Sequence, residues 1–127
     1  MAVWQKLIWI ALAGAVGTLA RYGLGGFVQN QTGKIFPWGT VVVNLLGCLA
    51  FGIVWASLEE RRPISDETRT IILVGFMGAF TTFSTFIFET KGLLGDGEWL
   101  PAIGYFTLHN VGGLIALVAG LAIGRLL

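Results

Sequence analysis

Charge is scarce in this sequence. Only 12% of its 127 residues are Asp, Glu, Lys or Arg, about half the share usual in a soluble domain. That shortage, at this length, excludes a multidomain protein, a disordered binding tail and a soluble enzyme with a large substrate domain. The net charge of +1 supplies no basic footprint, so no nucleic-acid partner is expected. One cysteine, Cys48, lies in an apolar run, which excludes a disulfide framework or a zinc site within one chain. P-loop, HExxH, paired carboxylates and any nucleophile–base–orienter set are all missing, so no enzymatic activity is expected. No linker, long repeat or low-complexity tract divides residues 1–127, which read as one domain.

What is present is apolar. Hydrophobic residues make up 55% of the chain and glycines number 19; mean hydropathy is +0.80. At about 20 residues per transmembrane helix, the chain has room for four spans. Uncharged stretches place them at about 7–28, 38–58, 70–88 and 101–127, with Arg21 inside the first and Arg125 near the end of the fourth. Trp4, Trp38, Trp55 and Trp99 fall near span ends, as an aromatic belt requires. Lys6 followed by an apolar run with Ala11-Leu12-Ala13 has the form of a signal peptide. The apolar stretch continues past that point, so insertion without cleavage is expected. Ser65 before Asp66 and Glu67 reads as the N-cap of the third helix. Lys6, Arg61, Arg62, Arg69 and Arg125 lie on the side of both termini, against Lys34 and Lys91 opposite. That five-to-two bias leans towards both termini in the cytoplasm, and its small size is also compatible with a chain that inserts both ways.

Small residues recur at helical spacing in three spans: Ala13, Gly17 and Gly25 in register with Arg21; Gly39 and Gly47; and Gly112, Ala116, Gly120 and Gly124. Such faces let backbones approach closely. Any one of them serves packing within the chain; three in so short a chain point to a homo-oligomer.

Polar side chains at membrane depth need a partner or a task. Thr40 and Asn44 share a face of the second span, where Asn44 makes either a helix–helix hydrogen bond or a donor lining a pathway. The third span reads GFMGAFTTFSTFIFE from Gly75 to Glu89. Its glycines and threonines weaken the helix. Either it breaks near Gly78–Thr82, freeing carbonyls able to hold a hard cation such as Na⁺, or its hydroxyls bond back to their own helix. Phe83 and Phe86 share a face. Ring edges are electropositive and can contact a small anion, although the same spacing also serves plain packing. Tyr105 and His109 share a face of the fourth span, where His109 reads as a satisfied polar position beside a pathway. Arg21 and Glu89 are expected near opposite ends of the permeable region. Arg21 either concentrates anions in a vestibule or snorkels to the interface.

Three segments together, GAVGTLARYGLG (14–25), PWGTVVVNLLG (37–47) and GFMGAFTTFSTFIFE (75–89), resemble the Fluc, or CrcB, fluoride channel family, in order and over essentially the whole chain. The resemblance implies an all-α membrane protein with four transmembrane helices per subunit and a broken third helix. Two such subunits would form an antiparallel, dual-topology homodimer in the cell membrane of a microbe. It implies a passive fluoride-selective channel that lets the anion leave the cytoplasm and reduces its toxicity. It also implies a structural Na⁺ on the backbone carbonyls of Gly78 and Thr81. The fluoride path would use Asn44, Phe83, Ser84, Thr85 and Phe86, then Tyr105, with Glu89 near it and Arg21 at the vestibule. His109, Gly113 and Leu117 stand where the family carries hydroxyl residues, and His109 or Asn110 is expected to substitute. Mild donors suit fluoride because they replace its water without binding it too tightly to release. Two other classes compete. A small four-span multidrug exporter would want a carboxylate in the first span, which has none; a non-conducting assembly subunit would have no water-accessible route.

Overall fold

A computed structural model describes residues 1–60 and 64–127. Two of the arginines used for orientation, Arg61 and Arg62, lie outside the described residues. Among the described residues the regular elements are helical. Helix α1 covers Val3–Thr32 and α2 covers Trp38–Glu60. Helix α3 (Asp66–Thr70) continues through a π-helical stretch, Ile71–Met77, into α4 (Gly78–Phe80), and α5 follows at Phe83–Gly95. Helix α6 (Trp99–Thr107) passes through a second π-helical stretch, Leu108–Gly112, into α7 (Gly113–Leu126).

Among the described residues, four helical stretches are long and apolar enough to cross a bilayer: Val3–Thr32, Trp38–Glu59, Asp66–Gly95 and Trp99–Leu126. Each overlaps one of the uncharged runs, and most extend beyond it. The physical reason is that hydropathy marks only the hydrocarbon core. A helix keeps its hydrogen bonds into the headgroup region, where Lys6 and Lys91 are tolerated. Ser65 does cap α3, its Oγ accepting from the Thr68 N–H at 3.2 Å, with Asp66 and Glu67 in the first turn.

Lipid tails are as apolar as leucine, so close packing must hold these helices together. Glycines provide it. A Cβ on Gly124 would fall 2.8 Å from that of Ala56, and one on Gly52 would lie 2.7 Å from the Leu121 nitrogen. Gly120 faces the Leu49 carbonyl in the same α2–α7 seam. On α1, Gly17 abuts the Phe76 carbonyl, and Gly25 and Gly39 bring α1 against α2. All three small-residue faces thus have contacts inside one chain. Intrachain packing accounts for the stripes, so a second copy has to be argued from other surfaces.

The turn between α1 and α2 is held by one side chain. Gln29 Oε1 accepts from the Gly39 N–H at 3.1 Å, satisfying a donor in the first turn of α2. Its Nε2 donates to the carbonyls of Gly33 and Phe36. Val41, Phe86, Leu93, Ala102 and Tyr105 form a buried cluster joining α2, α5 and α6, with Tyr105 wholly buried.

Replacing Gly120 with Ala should lower stability by about 1–3 kcal/mol, the usual cost of overpacking. Gly92→Ala, where a Cβ meets nothing within 4 Å, should not. Thermal unfolding of both variants in detergent checks this; equal midpoints would contradict the close α2–α7 approach.

Candidate functional site

Helical conformation stops at Phe80 and resumes at Phe83. Thr81 (φ −85°, ψ 158°) and Thr82 (φ −145°, ψ 113°) are extended. A helix continuing through this point would send the Thr82 N–H to the Gly78 carbonyl. Instead it donates to Asn44 Oδ1 at 2.8 Å, while Asn44 Nδ2 donates to the Thr82 carbonyl at 3.0 Å. The carboxamide therefore stands in for a peptide group on both sides of one residue. Asn44 makes the interhelical bond, and its second Nδ2 hydrogen is left over. Thr82 also caps α5: its Oγ1 accepts from the Thr85 N–H at 3.4 Å and pairs with Thr85 Oγ1 at 2.9 Å.

Asn44, Cys48, Thr81, Thr82, Phe83, Phe86, His109 and Asn110 line one recess. Phe86 is buried beneath it at 4% exposure, whereas Phe83 is 75% exposed, with their ring centroids 5.8 Å apart. Ser84 is exposed beside Phe83. His109 stacks on Phe86 with centroids 4.3 Å apart and planes 23° apart. Its Nδ1 lies 3.1 Å from the Tyr105 carbonyl, and its Nε2 is buried without a hydrogen-bond partner. Asn110 bonds back to the Phe106 carbonyl at 2.8 Å. Gly78 and Thr81 line a further recess with Gly47, Cys48 and Leu117 among its walls.

Glu89 has both carboxylate oxygens committed to hydroxyls. Thr40 Oγ1 donates to Oε1 at 2.9 Å and the Tyr105 hydroxyl to Oε2 at 2.7 Å. Thr40 was not singled out from the sequence as a partner of Glu89; the available signal was its place one turn from Asn44 on the same face. Arg21 and Glu89 line a common recess together with Gln29, Thr40 and Thr85. The expectation of opposite ends is corrected here. The close Gly25–Gly39 approach carries Arg21 towards α2, and the two hydroxyls hold Glu89 on the same side.

Asn44→Ala strands the Thr82 N–H and carbonyl together. It should cost about 1–2 kcal/mol and speed hydrogen exchange at the Thr82 amide. Exchange measured on the variant checks it; unchanged protection of Thr82 would contradict the pairing.

The sequence matches the family described as CrcB-like protein, Camphor Resistance (CrcB), over residues 8–121. It is 56% identical over 125 residues to the fluoride-specific ion channel FluC of Nitrosococcus oceani, covering 98% of this chain and 100% of that one. The protein of that name from Solidesulfovibrio magneticus is 55% identical over 123 residues, covering 97% and 98%. That from Desulforapulum autotrophicum is 54% identical over 123 residues, with the same coverage. The match therefore covers nearly the whole chain, the family model alone taking in residues 8–121. The chain belongs to the CrcB family, a family of ion channels and not of enzymes.

Proposed function

We propose that the chain is a passive, fluoride-selective channel that lets the anion leave a microbial cytoplasm across the cell membrane and so relieves its toxicity. The observation that carries this reading is the near full-length match to relatives named fluoride-specific ion channels. The chemistry of the recess supports it. Fluoride is small and strongly hydrated, so its water must be replaced by many weak donors rather than one strong charge. Asn44 offers its spare amide hydrogen, Ser84 and Thr85 their hydroxyls, and Phe83 and Phe86 their electropositive ring edges. Tyr105 and Glu89 continue the path, His109 lies beside it, and Arg21 raises the local anion concentration at a vestibule.

A pathway half open to the surface needs a wall. Phe83 at 75% exposure, next to exposed Ser84, presents path residues on the outside of a single chain. A second copy, packed antiparallel, would cover them and make the working unit a dual-topology homodimer. The expected Na⁺ fits the donors available. Backbone carbonyl oxygens can hold a hard cation such as Na⁺ without a carboxylate. The bond from the Thr82 N–H to Asn44 releases the Gly78 carbonyl, and Thr81 is extended beside it. The carbonyls of Gly78 and Thr81 would hold a structural, untransported Na⁺, whose chemistry is to neutralise oxygen dipoles that face one another. Cation export is disfavoured, because both Glu89 oxygens already accept hydrogen bonds from hydroxyls.

The test is fluoride release from loaded vesicles after reconstitution. The unmutated protein should empty them. Phe83→Ile removes the ring edges, and Asn44→Asp keeps an acceptor for Thr82 while replacing a donor with a negative charge. Each should cut flux at least tenfold with the oligomer still assembled. Unchanged release in both variants would place the path elsewhere.

A further inference from the structure

We infer that His109 donates to fluoride only when its ring is doubly protonated, so that a proton on this histidine and fluoride in the path stabilise one another. The inference rests on the channel reading above and deepens it. It starts from a tautomer. Nδ1 lies 3.1 Å from the Tyr105 carbonyl, and a carbonyl can only accept, so Nδ1 carries the hydrogen. The neutral ring then has a bare lone pair at Nε2. That atom is buried and has no hydrogen-bond partner, an arrangement that calls for a physical account.

A lone pair beside an anion path repels the anion. A second proton reverses this, turning Nε2 into a charged N–H donor, the strong kind of hydrogen bond for an anion. The surroundings accept that cation. Phe86 lies face-on below the ring at 4.3 Å, where its π-face favours positive charge, and the Tyr105 ring packs edge-to-face with the imidazole, centroids 4.5 Å apart. From α5, Glu89 approaches through the Tyr105 hydroxyl and favours the cation. From α2, the Thr40 backbone faces the ring and favours a proton on it, and Cys48 shares the recess; Cys48 and Tyr105 are ordinarily neutral where imidazoles titrate. From α1, Arg21 opposes the cation, but it opens on the adjoining recess that Glu89 also lines. The stretch Gly78–Thr82 adds no ionisable side chain.

Proton and fluoride together add no net charge at membrane depth, which makes their joint arrival less costly than either alone. By linkage the effect is reciprocal: fluoride holds the proton on the ring, and the proton holds fluoride in the path. A permanent lysine at this position would bind too tightly to release, whereas a histidine becomes a strong donor only in its acid form.

The chain has one histidine, so ¹⁵N-histidine labelling of the unmutated, full-length protein gives a single pair of ring signals. Near neutral pH these should report hydrogen on Nδ1 and none on Nε2. Sodium fluoride should keep the doubly protonated ring to higher pH than sodium chloride does. In vesicles, fluoride efflux corrected for protein-free controls should rise several-fold as the pH is lowered from neutral into the acid range where an imidazole takes its second proton, and His109→Gln should abolish the rise. Hydrogen on Nε2 at neutral pH, identical titrations in the two salts, or a rise retained in His109→Gln each overturns the inference. Fluoride-linked titration without efflux at any pH would overturn the channel reading and uphold the coupling. Efflux without fluoride-linked titration would overturn the role of His109 alone.

Discussion

A backbone that leaves helical conformation at membrane depth must find a partner for each N–H and carbonyl it frees, because lipid offers none. Asn44 meets that demand for Thr82 with one carboxamide, accepting at 2.8 Å and donating at 3.0 Å. The rest of the site follows from this pair. Thr82 is free to cap α5, and the new helix starts with Phe83 turned outward and Phe86 buried. Two turns on, Glu89 meets Thr40, which lies one turn from Asn44 on α2. A single face of α2 thus holds α5 at two points.

That fixation matters for any ion that crosses here. Donors worth only a little each must be held in place, since a loose set would lose its ordering entropy every time an ion arrived. Asn44 is oriented by Thr82, Thr85 by Thr82, and Tyr105 by Glu89. The side chains with no such restraint are the exposed Phe83 and Ser84, the positions that on the proposed reading a second subunit would cover.

The spans were legible because burial in lipid leaves a coarse signature: four runs without charge. Helix ends beyond those runs were not, since the headgroup region tolerates both charge and helix. Ser65 could be read as a cap because its bond is local, reaching only Thr68. Asn44 left two readings open; its tertiary partner, 38 positions away in sequence, accounts for the interhelical bond and had no local signal. The tie from Thr40 and Tyr105 to Glu89 had no local signal either. The glycine stripes were legible as close contacts but not as to what they touch, because spacing reveals a smooth face and not the surface that meets it. Arg21 and Glu89 were separated in the reading for the same reason: sequence position within a span says little about which side chains converge.

The most direct measurement of the central claim is the selectivity of the unmutated chain in vesicles loaded in parallel with fluoride, chloride and a cationic dye. A path of weak donors fixed by the Asn44–Thr82 pair should pass fluoride and retain the other two. Vesicles that lose chloride or the dye as readily as fluoride, or that keep all three with the protein properly inserted, would contradict it.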